Sequence, residues 1–205
     1  MSFRRLMALA AVSALVAGLI VVSPAIAGKK YKGFERGEAL ITPQELKGLM
    51  DAKDPKLVLI GVVKGGLTGS FTRGHIPDAY SVWRPDYTAD EGKPYPFGGM
   101  VKNAAEFQEF ARSLGMDNDS TVVIYDEKYD ATRLWWSFFL YGKTDVRILD
   151  GGYEGWKEAG YDTEMGGGKD KGSKTGNFVA QHRQAQTVAP MADVWRATPP
   201  PTLQG

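Results

Sequence analysis

The stretch from Thr121 to Trp156 constrains this chain most. Thr121-Val122-Val123-Ile124-Tyr125 and Val146-Arg147-Ile148-Leu149 are short apolar runs bounded by turn residues. Between them lie a polar loop, Asp126 to Asp130, and an apolar helical pattern from Ala131 to Tyr141. Strand, helix and strand in that order predict a parallel sheet, and strands without polar alternation predict burial on both faces. The expected architecture is an α/β open parallel sheet with helices on both faces. In such sheets the loops at the carboxyl ends of the strands form the ligand crevice, which directs attention to the loop opened by Asp126.

The flanking sequence extends the pattern. Ala39-Leu40-Ile41, Leu57-Val58-Leu59-Ile60 and Tyr80-Ser81-Val82-Trp83 read as further strands. Thr42-Pro43-Gln44-Glu45 carries a capping hydroxyl, a proline at the first helical position and a glutamate three residues on, opening a helix to about Met50. Asn103 and Glu106 form a second capping box. They open a helix with Phe107, Phe110, Ala111 and Leu114 on one face, ended by Gly115. The glycine-rich stretch Gly61 to Thr72 reads as a loop on the same rim as Asp126. His75, in Gly74-His75-Ile76-Pro77, reads as a turn-fixing side chain rather than a catalytic base. Arg84 to Val101 is a long polar excursion that Tyr87, Tyr95 and Phe97 are expected to pin to the body.

The ends carry other signals. Arg4 and Arg5 precede the apolar stretch Leu6 to Val22, and Ala25-Ile26-Ala27 supplies a small-residue cleavage site. Residues 1–27 therefore read as a secretory signal cut before Gly28, implying a periplasmic mature protein with no membrane span. An uncleaved membrane anchor is the competing reading. Residues 28–38 form a basic tether, residues 39–164 the folded domain, and residues 165–205 a linker followed by the possible start of a truncated second unit. That last idea rests on Gln186 to Trp195, which faintly repeats the Ala39 to Leu46 pattern of apolar run, proline and short amphipathic helix.

Composition removes whole classes of chemistry. The chain has 205 residues and no cysteine, so thiol catalysis, disulfides and zinc-thiolate sites within it are excluded. Two histidines make an imidazole metal cluster a poor expectation, and no metal or cofactor is expected. A net charge of +1 gives no reason to expect nucleic acid as a partner. The helix from Ala131 to Tyr141 is apolar nearly all round, which implies burial or cover by another domain.

Three motifs then coincide: Arg73-Gly74-His75-Ile76-Pro77-Asp78-Ala79, the strand Val122 to Asp126 with its loop, and Leu149-Asp150-Gly151-Gly152 with Trp156. Together they resemble the rhodanese-like sulfurtransferases. The match looks closest to the non-catalytic amino-terminal half of the tandem thiosulfate or 3-mercaptopyruvate sulfurtransferases. The resemblance implies an active-site loop at Asp126, Glu127, Lys128, Tyr129, Asp130, Ala131 and Thr132. It implies a structural role for Arg73, Gly74, His75, Asp150, Gly151, Gly152 and Trp156. It also implies that Asp126 stands where the family places its catalytic cysteine. A carboxylate cannot hold sulfane sulfur as a stable persulfide, and three acids opposed by Lys128 alone would repel an anionic donor. Asp126 and Asp130 are expected instead to cap the loop and helix. Two readings follow. One is the supporting half of a sulfurtransferase, whose partner is a cysteine-bearing rhodanese domain, with self-association when that domain is missing. The other is a stand-alone cysteine-less module that binds a protein partner or a small anion.

Overall fold

The computed structural model describes residues 31–32, 37–92, 98–127 and 130–181. The signal region, Tyr95, Phe97, Lys128, Tyr129 and the Gln186–Trp195 repeat lie outside the described residues.

Five parallel strands make one sheet: β1 (Leu40–Ile41), β2 (Leu57–Val62), β3 (Tyr80–Val82), β4 (Thr121–Asp126) and β5 (Val146–Leu149). Their spatial order is β1-β5-β4-β2-β3, with β4 in the middle. Register is set residue by residue along β2 and β4, from Leu57 opposite Thr121 to Val62 opposite Asp126. Alternate side chains leave a strand on opposite faces, and both faces are apolar here. Val58, Ile60, Val122 and Ile124 enter one core; Leu59, Val123 and Tyr125 enter the other.

Helices cover both faces, as the sequence pattern implied. α3 (Ala104–Ser113) and α4 (Asp130–Leu140) bury Phe107, Phe110, Ala111, Leu134 and Phe138 in the first core. α1 (Pro43–Asp51) contributes Leu46 to the second core, and α5 (Gly152–Glu158) contributes Trp156. Both expected capping boxes form. The Glu45 amide donates to Thr42 Oγ1 at 3.1 Å, and the Glu106 amide donates to Asn103 Oδ1 at 3.0 Å. The excursion after β3 begins with a single helical turn, α2 (Arg84–Tyr87). It is drawn back to the body by the fully buried Tyr87 and by an antiparallel bridge between Thr88 and Val101.

The segment from residue 165 to 181, expected as a linker, follows the body of the domain. Gly166, Lys169, Gly172, Gly176, Phe178 and Gln181 donate backbone hydrogen bonds to Thr72, Ala79, Ser113, Arg112, Met116 and Tyr141 respectively. Phe178 is 2% exposed and sits in the first core. The glycines that suggested a flexible tether instead permit close approach. A Cβ on Gly176 would lie 1.9 Å from the Met116 carbonyl oxygen, and one on Gly168 would lie 2.5 Å from that of Ala79.

The apolar helix is also better covered than its sequence implied. Ala131, Leu134, Ser137, Phe138 and Leu140 are buried, and Trp135 and Trp136 pack against the first core while remaining partly exposed.

Candidate functional site

β4 ends at Asp126, and α4 begins at Asp130, so the intervening loop opens at the carboxyl edge of the sheet. Asp126 Oδ2 accepts a hydrogen bond from the Ala131 amide at 2.7 Å. An unpaired amide at a helix start is an anion-binding group, and here the chain's own carboxylate occupies it. Ala131 itself is 1% exposed. Thr132 is exposed on the first turn of α4.

The two glycines at the end of β5 set the depth of this site. Gly151 (φ 76°) and Gly152 (φ 56°) both adopt left-handed backbone, which residues with a Cβ rarely do. A Cβ on Gly152 would stand 2.5 Å from the Asp126 carbonyl oxygen. Glycine there lets the start of α5 close over the Asp126 loop. Beside it, Asp150 accepts from Tyr31 Oη at 2.6 Å and from Lys32 Nζ at 2.7 Å. Those two hydrogen bonds hold its carboxyl below the ordinary range and fasten the tether to the sheet. Trp156 is 1% exposed and donates from Nε1 to the Asp162 carbonyl at 2.8 Å.

The Arg73-Gly74-His75 motif braces the opposite wall. His75 is 1% exposed, stacks on Phe71 at 4.1 Å, and places Nδ1 3.0 Å from the Phe71 carbonyl. A carbonyl only accepts, so Nδ1 carries the proton, and the ring fixes the loop as its sequence context implied. Residue 74 packs closely against Tyr153, since a Cβ there would lie 2.5 Å from its Oη and would displace that side chain. Tyr125 Oη accepts from the Ile76 amide at 3.2 Å and joins the motif to β4, and burial pushes its phenol well up.

Between these walls lies an open cavity of about 410 Å³, lined by Val62, Lys64, Gly69, Ser70, Arg73, Asp126, Glu127 and Asp130. The glycine-rich loop does share a rim with Asp126. Each of the three carboxylates already has a partner. Asp126 takes the Ala131 amide, Glu127 takes the Ser70 hydroxyl, and Asp130 takes Arg84 at 2.9 Å. Asp130 therefore bridges to α2 and is not a cap. Tyr87 donates to the Asp130 carbonyl at 3.4 Å, and burial pushes its phenol up to about 12, so it stays a neutral donor.

Lys64 and Arg73 stand at the same cavity with no carboxylate partner among the described residues. The loop is thus not opposed by Lys128 alone. Sequence reasoning did not single out Lys64, Ser70 or Arg84 for this site. The glycine-rich composition of 61–72 placed that loop on the rim, but nothing local showed which side chains would turn inward.

Comparison with known proteins agrees with this architecture. A family model described as "Rhodanese-like domain" matches residues 42–159. The chain is 33% identical over 138 residues to a putative thiosulfate sulfurtransferase, SseB, of Mycobacterium tuberculosis, covering 64% of this chain and 48% of that protein. It is 39% identical over 90 residues to the 3-mercaptopyruvate sulfurtransferase of Mus musculus, covering 42% of this chain and 29% of that one. The chain thus spans about half the length of the mycobacterial relative and less of the mouse one. Among solved structures, SseA from Escherichia coli, a 3-mercaptopyruvate sulfotransferase, superposes with a TM-score of 0.67 at 24% identity, over 78% of this chain and 61% of that one. A sheet of this order, a β4–α4 loop closed by paired glycines and a family match over more than half its length lead to one conclusion: the chain belongs to the rhodanese-like domain family, as a sulfurtransferase-type domain without a cysteine.

Proposed function

We propose that this chain is a periplasmic rhodanese-like domain that supports a cysteine-bearing catalytic rhodanese domain and carries no sulfur itself. The observation behind this reading is Asp126. Its carboxylate takes the Ala131 amide at the start of α4, the kind of donor that elsewhere stabilises a thiolate or persulfide. No other residue of the chain can replace the missing thiol, because the sequence has no cysteine. Names carried by the relatives, thiosulfate and 3-mercaptopyruvate sulfurtransferase, support the reaction class of the whole assembly. The share of those relatives that the chain covers leaves room for a separate catalytic half. Arg4, Arg5, the apolar stretch to Val22 and Ala25-Ile26-Ala27 support export.

The test is thiocyanate release from thiosulfate and cyanide. The purified chain is expected to give none above background, and the Asp126→Ala variant likewise. Addition of a cysteine-bearing rhodanese domain from the same genome should give turnover that rises with the amount of this chain. Turnover by this chain alone, or a catalytic domain indifferent to it, overturns the proposal.

A second reading rests on Lys64 and Arg73. Two cations at one cavity, without carboxylate partners among the described residues, favour a small-anion site in a stand-alone module. Under that reading, thiosulfate or sulfate titrated into the chain shifts the backbone amide resonances of 64–73, and Arg73→Ala removes the shift.

A further inference from the structure

A second cleft lies at β3, the edge strand of the sheet, and shares no lining residue with the cavity at Asp126. Its volume is about 350 Å³, within the range of small-molecule sites. Ser81 lines it, 4% exposed, and its Oγ has no hydrogen-bond partner among the described residues. A buried hydroxyl left unpaired costs stability, so one kept at a cleft points to a group that arrives from outside. A Cβ on Gly66, which also lines the cleft, would stand 3.8 Å from Ser81 Oγ and 3.7 Å from Trp83 Cβ. The hydroxyl therefore lies beside the glycine loop, where no side chain covers it. Trp83 and Leu67 flank the cleft and are 39% and 55% exposed, which gives it two apolar surfaces.

The main chain adds a donor and an acceptor at the same residue. Val63 donates its amide to the Val82 carbonyl at 2.9 Å, so Val82 faces β2. Ser81, one residue back, turns its own N–H and C=O to the open edge. Its neighbours along that edge are taken. The Ala79 carbonyl accepts from the Lys169 amide at 3.0 Å, and the Trp83 amide donates to Asp86 Oδ2 at 2.8 Å. An added strand would need positions 79, 81 and 83 together, whereas a small molecule needs Ser81 alone. The charges at the cleft select no ion either. Asp86 and Lys171 pair at 2.8 Å, and Lys169 and Asp170 add one charge of each sign.

We propose that the Ser81 cleft binds a small neutral aromatic carboxamide. Its ring lies against Trp83 and Leu67, and its amide meets the main chain and hydroxyl of Ser81. A carboxamide is the simplest neutral group that donates and accepts at once, and the exposed indole favours a flat ring. The site stands independently of the sulfurtransferase reading, since neither the Asp126 loop nor any sulfur chemistry enters it.

The probe is benzamide, titrated into the full chain and followed by amide and indole N–H resonances. Saturable shifts are expected at Gly66, Leu67, Ser81 and the Trp83 side chain, with Asp126 and Ala131 unmoved. Trp83→Ala should weaken binding roughly tenfold, the order of one aromatic contact. Ser81→Ala should weaken it several-fold and leave the thermal midpoint unchanged or higher, since no protein group loses a bond. That midpoint separates lost recognition from lost folding. Benzoate, which keeps the ring but carries a charge, and cyclohexanecarboxamide, which keeps the amide without the flat ring, should each bind several-fold more weakly. Shifts that do not saturate, benzoate binding as tightly as benzamide, or affinity unchanged by both substitutions each overturn the proposal.

Discussion

At the scale of single residues, Asp126 and Asp150 do different work with the same side chain. Asp126 satisfies a helix-start amide, and Asp126→Ala should lower stability by about 1 kcal/mol, the usual loss when a capping carboxylate is removed. Urea unfolding of the variant beside the parent chain measures it. Asp150 is held below its ordinary carboxyl range by Lys32 and Tyr31. A carboxyl depressed in the folded state binds fewer protons folded than unfolded below pH about 4. Its contribution is therefore present above that pH and is lost as the pH falls further. Thermal midpoints between pH 6 and 3 should fall more steeply for the parent chain than for Asp150→Asn. Parallel slopes would show that the Tyr31–Lys32 contact adds nothing to the native state. The capping role of Asp126 was expected from its place after the strand, whereas the contact of Asp150 with Tyr31 and Lys32 was not, because it joins residues far apart in the sequence. The paired glycines at 151 and 152 were legible, since a Gly-Gly pair after a strand has few other physical uses.

At the scale of elements, the segment 165–181 contributes more than its composition implied. Phe178 is buried in the core shared by α3 and α4. Phe178→Ala should cost about 3 kcal/mol, as deletion of a core aromatic does, and should expose 165–181 to limited proteolysis before the rest of the domain. A variant with unchanged thermal midpoint and cleavage pattern would return this stretch to the status of a linker. The strands and capped helices were readable because their signals are local: continuous apolar runs in β2 and β4, and Thr42–Glu45 and Asn103–Glu106 three residues apart. The strap was not readable, because glycine and lysine look the same in a free tether as in a segment pressed against carbonyls. The Asp130–Arg84 pair was likewise hidden, since it joins residues 46 positions apart through loops whose meeting only the fold decides. Lys64 escaped notice for the same reason, and Arg73 was read as part of a structural motif rather than as a cation at the cavity.

For the whole molecule, cellular location and the order of assembly meet. Intact mass after osmotic release should show a mature chain beginning at Gly28, and recovery of Met1 to Ala27 in a membrane fraction would favour the anchor reading. A chain emerges from synthesis amino end first, and a core needing Phe178 cannot be completed until that residue has emerged. Every strand of the sheet is available by Leu149, yet the layer over α3 and α4 waits for a side chain 29 residues later. During that interval the sheet is laid down but one of its aromatic faces stays wet. The last step of core assembly is thereby timed by the position of one phenylalanine.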